Sequence, residues 1–148
     1  MTRKAVEALI GVNEVLGGAL ILAAQASAVR HGLAALPTRY FYLSILVAGM
    51  SMWAGWLLIR RKRLGRQLSI VLQALQVFGV ASRMFSWRFE LGLKVTVEMT
   101  ASSVMTHWGF GGLYGVWPWP GAPENTLVFN PLALIALLYL VRQSRQVS

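Results

Sequence analysis

Cysteine is absent from the 148 residues, aspartate is absent as well, and histidine occurs only at His31 and His107. Without cysteine there are no disulfides, zinc-thiolate sites, iron–sulfur clusters or thiol nucleophile. The two histidines stand far apart without ligand spacing, so no metal or other cofactor is expected. No serine lies in a nucleophile elbow and no glycine-rich phosphate loop occurs. Glu90 and Glu98 are eight residues apart on a presumed strand, too distant for a carboxylate pair unless that strand folds back on itself. An enzyme is therefore the least supported class. Charge is also scarce: 13% of residues are charged and 56% are hydrophobic. The mean hydropathy of +0.56 is too apolar for an ordinary soluble domain.

The charge that is present is mostly positive, with a net value of +9. A basic surface attracts phosphate and invites a nucleic-acid reading. The distribution argues against it, because the densest run, Arg60, Arg61, Lys62 and Arg63 with Arg66, separates two long apolar stretches. Lysine and arginine in that position mark a cytoplasmic loop between membrane spans, with contact to anionic lipid head groups as a second reading.

An α-helix needs about 20 apolar residues to cross a hydrocarbon core of about 30 Å. Spans are expected at about 5–29, 40–59 and 67–83. A shorter fourth is expected at 131–141, where Asn130 can cap a helix beginning with Pro131 and Arg142 and Arg145 can snorkel at its end. On alternate sides of these spans lie nine basic residues (Arg3, Lys4, Arg60, Arg61, Lys62, Arg63, Arg66, Arg142, Arg145) and five (Arg30, Arg39, Arg83, Arg88, Lys94). The bias places both termini in the cytoplasm and 86–129 outside. A rival reading takes the N-terminal apolar run, ending in Ala26-Ser27-Ala28, as a cleaved signal peptide. Glu7, Asn13 and Glu14 are awkward for such a segment.

From Trp87 to Thr100 apolar and polar residues alternate, the period of a strand with one buried face. A second strand is expected over Met105 to Val116, and Pro118, Pro120, Gly121 and Pro123 end the hairpin. An isolated hairpin is marginal in water, so its apolar face needs a partner. Trp87, Trp108, Tyr114, Trp117 and Trp119 suit the membrane interface. Trp87, Trp108 and Tyr114 are candidates for a gate or lid over a cavity. The plainer reading makes the hairpin a structural cap, and an edge for docking another subunit is also open.

Glu7, Gly11, Glu14, Gly18 and Gln25 share one face of the first span, and Ser69, Gln73, Gln76 and Arg83 share one face of the third. Ser44, Ala48, Ser51 and Gly55 form a small-residue stripe on the second. Glu14 and Gln76 each lie about 15 Å from a basic flank, at similar depth. A carboxylate there must face the interior and be hydrogen-bonded. Glu14 with Gln73 and Gln76 therefore forms a candidate intramembrane polar cluster, either as interhelical glue or as a proton or cation site.

The run Trp56-Leu57-Leu58-Ile59-Arg60-Arg61-Lys62-Arg63-Leu64-Gly65-Arg66, followed by Leu68-Ser69 and Leu72-Gln73-Ala74-Leu75-Gln76, resembles small uncharacterised bacterial four-helix membrane proteins. Some of these carry a glycine- and aromatic-rich β segment before a last helix opening like Asn130-Pro131-Leu132-Ala133. The likeness runs over roughly residues 53–140, though this chain is short and Trp-rich in its β segment. It implies a topology and no activity. The expectation is a membrane α-helical protein, a four-transmembrane-helix bundle with a small extracytoplasmic β-hairpin between helices 3 and 4, in a bacterial inner membrane. The expected role is non-enzymatic: a structural or accessory subunit assembling with itself or a partner membrane protein. The alternative is a small transporter or channel component moving protons or a small solute past Glu14. The lipid bilayer is the expected environment and nucleic acid is not an expected partner.

Overall fold

The structure, a computed structural model, describes residues 2–30, 38–82, 86–117 and 125–145, with the side chains of 38–40, 86 and 111–117 left aside. The elements in chain order are α1 (Arg3–Arg30), α2 (Thr38–Ile59), α3 (Arg63–Val77), β1 (Phe78–Ala81), β2 (Ser86–Met99), β3 (Val104–Trp117), β4 (Thr126–Phe129) and α4 (Pro131–Arg145).

Four helices with a four-stranded antiparallel sheet replace the expected four-span bundle and hairpin. Among the described residues only α1 and α2 are long and apolar enough to cross a membrane. The third expected span is cut short. α3 ends at Val77, and Phe78–Ala81 turns into a strand that pairs with β4 from Phe78↔Phe129 to Ala81↔Thr126. α4 does start at Pro131, with Asn130 Oδ1 accepting from the Ala133 amide at 3.2 Å. The Asn130 amide in turn donates to Val77 O at 2.9 Å, which clamps the start of α4 to the end of α3. With 15 residues each, α3 and α4 are about 22 Å long, short of a hydrocarbon core.

α1 and α2 pack closely because small residues line their contact. A Cβ on Gly11 would stand 2.6 Å from Gly55 O, and one on Gly18 would stand 2.6 Å from Ala48 O. The expected stripe on α2 is the buried one, with Ser44, Ala48, Ser51 and Gly55 all turned inward.

The sheet is more than a hairpin. β3 pairs with β2 along its whole length, from Ser86↔Trp117 to Met99↔Val104. β1 pairs with the start of β2 at Val80↔Trp87, and β4 pairs with its end at Val97↔Phe129 and Met99↔Leu127. Because β1 and β4 also pair with each other, β2 must curl until both its ends meet that pair, closing a small ring. The bend is at Gly92, whose φ of 71° lies in the left-handed region that glycine enters without steric penalty. Trp87 and Phe89 stack on one face of β2, and Phe89 and Leu91 join Ile21, Ala48, Ala54 and Leu72 in the main apolar cluster.

Candidate functional sites

The polar residues of the helices converge where β2 lies across α1. Glu14 is fully buried. Its Oε2 accepts from Ser69 Oγ at 2.7 Å and its Oε1 accepts from Gln73 Nε2 at 3.0 Å. Ser51 Oγ donates to the Glu14 backbone carbonyl at 2.8 Å, so α1, α2 and α3 are tied at one level. Gln76, placed with these in the sequence reading, turns instead to the sheet, its Oε1 accepting from the Leu91 amide at 3.0 Å. The other amide group, Gln76 Nε2, is buried without a partner among the described residues. Gln76 lines a groove of about 270 Å³ together with Asn13, Gln73 and Asn130 and with the exposed Leu9 and Ile135.

Asn13 was not singled out by periodicity, yet it holds the bend of β2. Its Nδ2 donates to Leu91 O at 3.3 Å and its Oδ1 accepts from the Leu93 amide at 2.5 Å. A carboxamide that satisfies a carbonyl and the amide two residues later substitutes for the peptide group of a neighbouring strand. The only signal in the sequence is an amide side chain amid apolar residues next to Glu14.

A second polar cluster lies inside the ring. Arg88 pairs with Glu90 at 2.6 Å and also with Glu98, while Lys94 pairs with Glu90 and His107 Nε2 stands 3.7 Å from Glu98. Arg88 and Glu98 would be about 33 Å apart on a straight strand. The fold-back that brings them together is the condition under which Glu90 and Glu98 could belong to one site, and they are joined through Arg88. Burial lowers the pKa of Arg88, but the bond and charge of Glu90 and the charge and bond of Glu98 outweigh it and hold the guanidinium above its ordinary range. Thr96 is fully buried in this cluster's strand, with its Oγ1 unpartnered among the described residues.

The aromatic candidates for a lid are not brought together. In the register of the ribbon Trp87 stands opposite Val116, Tyr114 opposite Phe89, and Trp108 opposite Val95. Trp87 lines an apolar cavity of about 270 Å³ with Leu43, Met50 and Leu75, whereas Trp108 is 85% exposed on β3. Tyr114 and Trp117 are placed by backbone alone, and Trp119 lies outside the described residues, as do His31 and Arg83.

At the opposite end, Glu7 Oε1 receives Arg66 Nη2 at 3.0 Å and Arg3 Nε at 3.5 Å. The basic run then divides. Arg60 stacks on Trp56, 4.5 Å from the ring centroid, and Lys62 is the N-cap residue of α3 without a side-chain cap bond. Arg61, Arg63 and Arg66 line a cavity of about 340 Å³ with Arg145 of α4. Comparison with protein-family models, with curated proteins and with solved structures finds no match for this chain, so its function is argued from these sites alone.

Proposed function

We propose that the protein is a non-enzymatic integral membrane subunit that assembles with a second copy of itself through the outer edge of β3. The observation that carries this is the strand: fourteen residues long, at the end of the sheet order, and without a strand on its outer edge among the described residues. Its side chains are as unusual as its edge. Val104 is 70% exposed and Trp108 85%, with Met105 and Phe110 also exposed.

The membrane part of the reading rests on polarity turned inside out. The buried set includes Glu7, Glu14, Ser51, Ser69, Gln73, Gln76, Glu90 and Asn130, while Leu9, Leu46, Trp53, Val71, Leu93 and Leu138 are exposed. In water this arrangement would expose apolar surface and desolvate polar groups together. In lipid both costs fall. A hydrocarbon environment then makes the open edge of β3 expensive, because roughly half of its amides and carbonyls point away from β2 with no water to bond them. A second β3 in antiparallel register satisfies them. The strand is self-compatible, since Val104–Trp117 contains no Lys, Arg, Asp or Glu and its glycines let two backbones approach. The excess of Lys and Arg at the end formed by Arg3, the 60–66 run and Arg145 supports placing that end in the cytoplasm.

The absence of native cysteine makes the test direct. Single cysteines at successive positions from Val104 to Phe110, followed by oxidation in membranes, are expected to give a cross-linked dimer with a maximum at one register. Native mass spectrometry in mild detergent is expected to show a dimer. A monomer in the gas phase together with no cross-link at any of these positions overturns the proposal.

A further inference from the structure

The cavity at the basic end has a chemistry that the assembly reading leaves unused. Arg61, Arg63 and Arg66 meet Arg145 across the gap between α3 and α4, with Gln67 and Ser144 as neutral hydrogen-bonding neighbours. Among the described residues the one carboxylate near them, Glu7, already shares one oxygen between Arg66 and Arg3. The remaining described glutamates, Glu14, Glu90 and Glu98, bond to other partners. Arg61, Arg63 and Arg145 therefore have no carboxylate partner among the described residues, and Arg66 has only its share of Glu7. Guanidinium is weakly hydrated and offers its donors as planar forks, the arrangement that matches phosphate oxygens.

Two further observations point to a ligand. Arg66 is only 8% exposed, and its Nε has no hydrogen-bond partner among the described residues although its Nη2 holds Glu7. A buried charged donor left unpaired is costly. The cavity also adjoins the first turn of α3, whose N-cap Lys62 makes no side-chain cap bond. The opening amides of a helix carry partial positive charge and accept an anion.

We infer that this cavity binds a phosphomonoester, with Arg61, Arg63, Arg66 and Arg145 as its ligands. A monoester presents three free oxygens and close to two negative charges at neutral pH. A phosphodiester presents two oxygens and one charge, so it engages fewer forks. The volume of about 340 Å³ leaves room beside the phosphate for the group that carries it. The same chemistry is offered by the head group of phosphatidic acid and by free phosphate.

The experiment uses the full chain, purified in mild detergent and in nanodiscs, with two probes. Inorganic phosphate is titrated calorimetrically, and native mass spectrometry measures retention of phosphatidic acid relative to phosphatidylglycerol and phosphatidylcholine. Arg63→Gln and Arg145→Gln are each expected to weaken binding about tenfold. Arg142→Gln, on the same helix but outside the cavity, is expected to leave it unchanged. Thermal melts confirm that each variant folds, and if Arg63→Gln does not, Arg145→Gln in the last turn of α4 carries the test. Selective retention of phosphatidic acid, displaced by phosphate, supports a lipid source. Phosphate binding without lipid selectivity supports the free anion. Absence of binding by both probes overturns the inference, and so does equal weakening by Arg142→Gln, which would mean a diffuse basic surface.

Discussion

Glu14 is held by two donors and exposed to no solvent, so its replacement separates shape from hydrogen bonding. In Glu14→Gln the amide oxygen still accepts one donor, and the variant is expected to fold with a loss below about 1 kcal/mol. Glu14→Leu leaves the Ser69 hydroxyl and the Gln73 amide facing an apolar group, at an expected cost of about 1–3 kcal/mol. Reversible unfolding in mixed detergent micelles reads both, and equal stability of the two variants would show that the network contributes nothing. The inward position of Glu14 was legible from its spacing with Gly11 and Gly18, because a helix repeats every 3.6 residues. Its partners were legible only in part: Gln73 is bonded to it, while Gln76 is taken by the Leu91 amide. No periodicity could assign that bond, since it depends on where a strand fifteen residues later crosses the helix.

Among the elements β2 shows both what a local pattern can tell and where it stops. Its alternation marked a strand from Trp87, and β2 runs from Ser86 to Met99. The curl was hidden, because a ring depends on β1 and β4, each only four residues long. Phe78-Gly79-Val80-Ala81 extends the apolar run of α3, and such a short stretch reads equally well as helix or strand until its pairing partner is known. Thr126–Phe129 was likewise lost behind the proline-rich loop. Gly92 is the hinge on which the curl depends. Gly92→Ala places a Cβ in a left-handed conformation and within 2.5 Å of the Asn13 carbonyl oxygen. The conformational cost alone is about 1–2 kcal/mol. We expect a lowered melting temperature and loss of protection of the Leu91 and Leu93 amides in hydrogen exchange. Unchanged protection would mean that the bend does not rely on glycine.

At the scale of the whole molecule, the long helices and the short ones pose one question. α1 and α2 have the length to cross a bilayer, whereas α3 and α4 are too short for it and pass the chain to or from the sheet. The handover occurs where Asn130 bonds to Val77 and Gln76 bonds to Leu91, so the backbone leaving one helix is met by polar groups at once. This is what lipid demands of any interrupted helix. If lipid surrounds this level, the outward residues of the short helices are as dry as those of the long ones. Leu9 on α1 is 59% exposed, and Ile135 and Leu138 on α4 are 64% and 60% exposed, so all three would be reachable from water around an unembedded protein. In sealed proteoliposomes, single cysteines at these positions are expected to resist a membrane-impermeant maleimide until detergent is added. A cysteine at Lys62, in the basic turn, is expected to react when that side faces the reagent. Reaction at Ile135 and Leu138 at the rate seen for Lys62, with Leu9 alone protected, would show α4 lying outside the lipid and would confine the membrane contact to the α1–α2 pair.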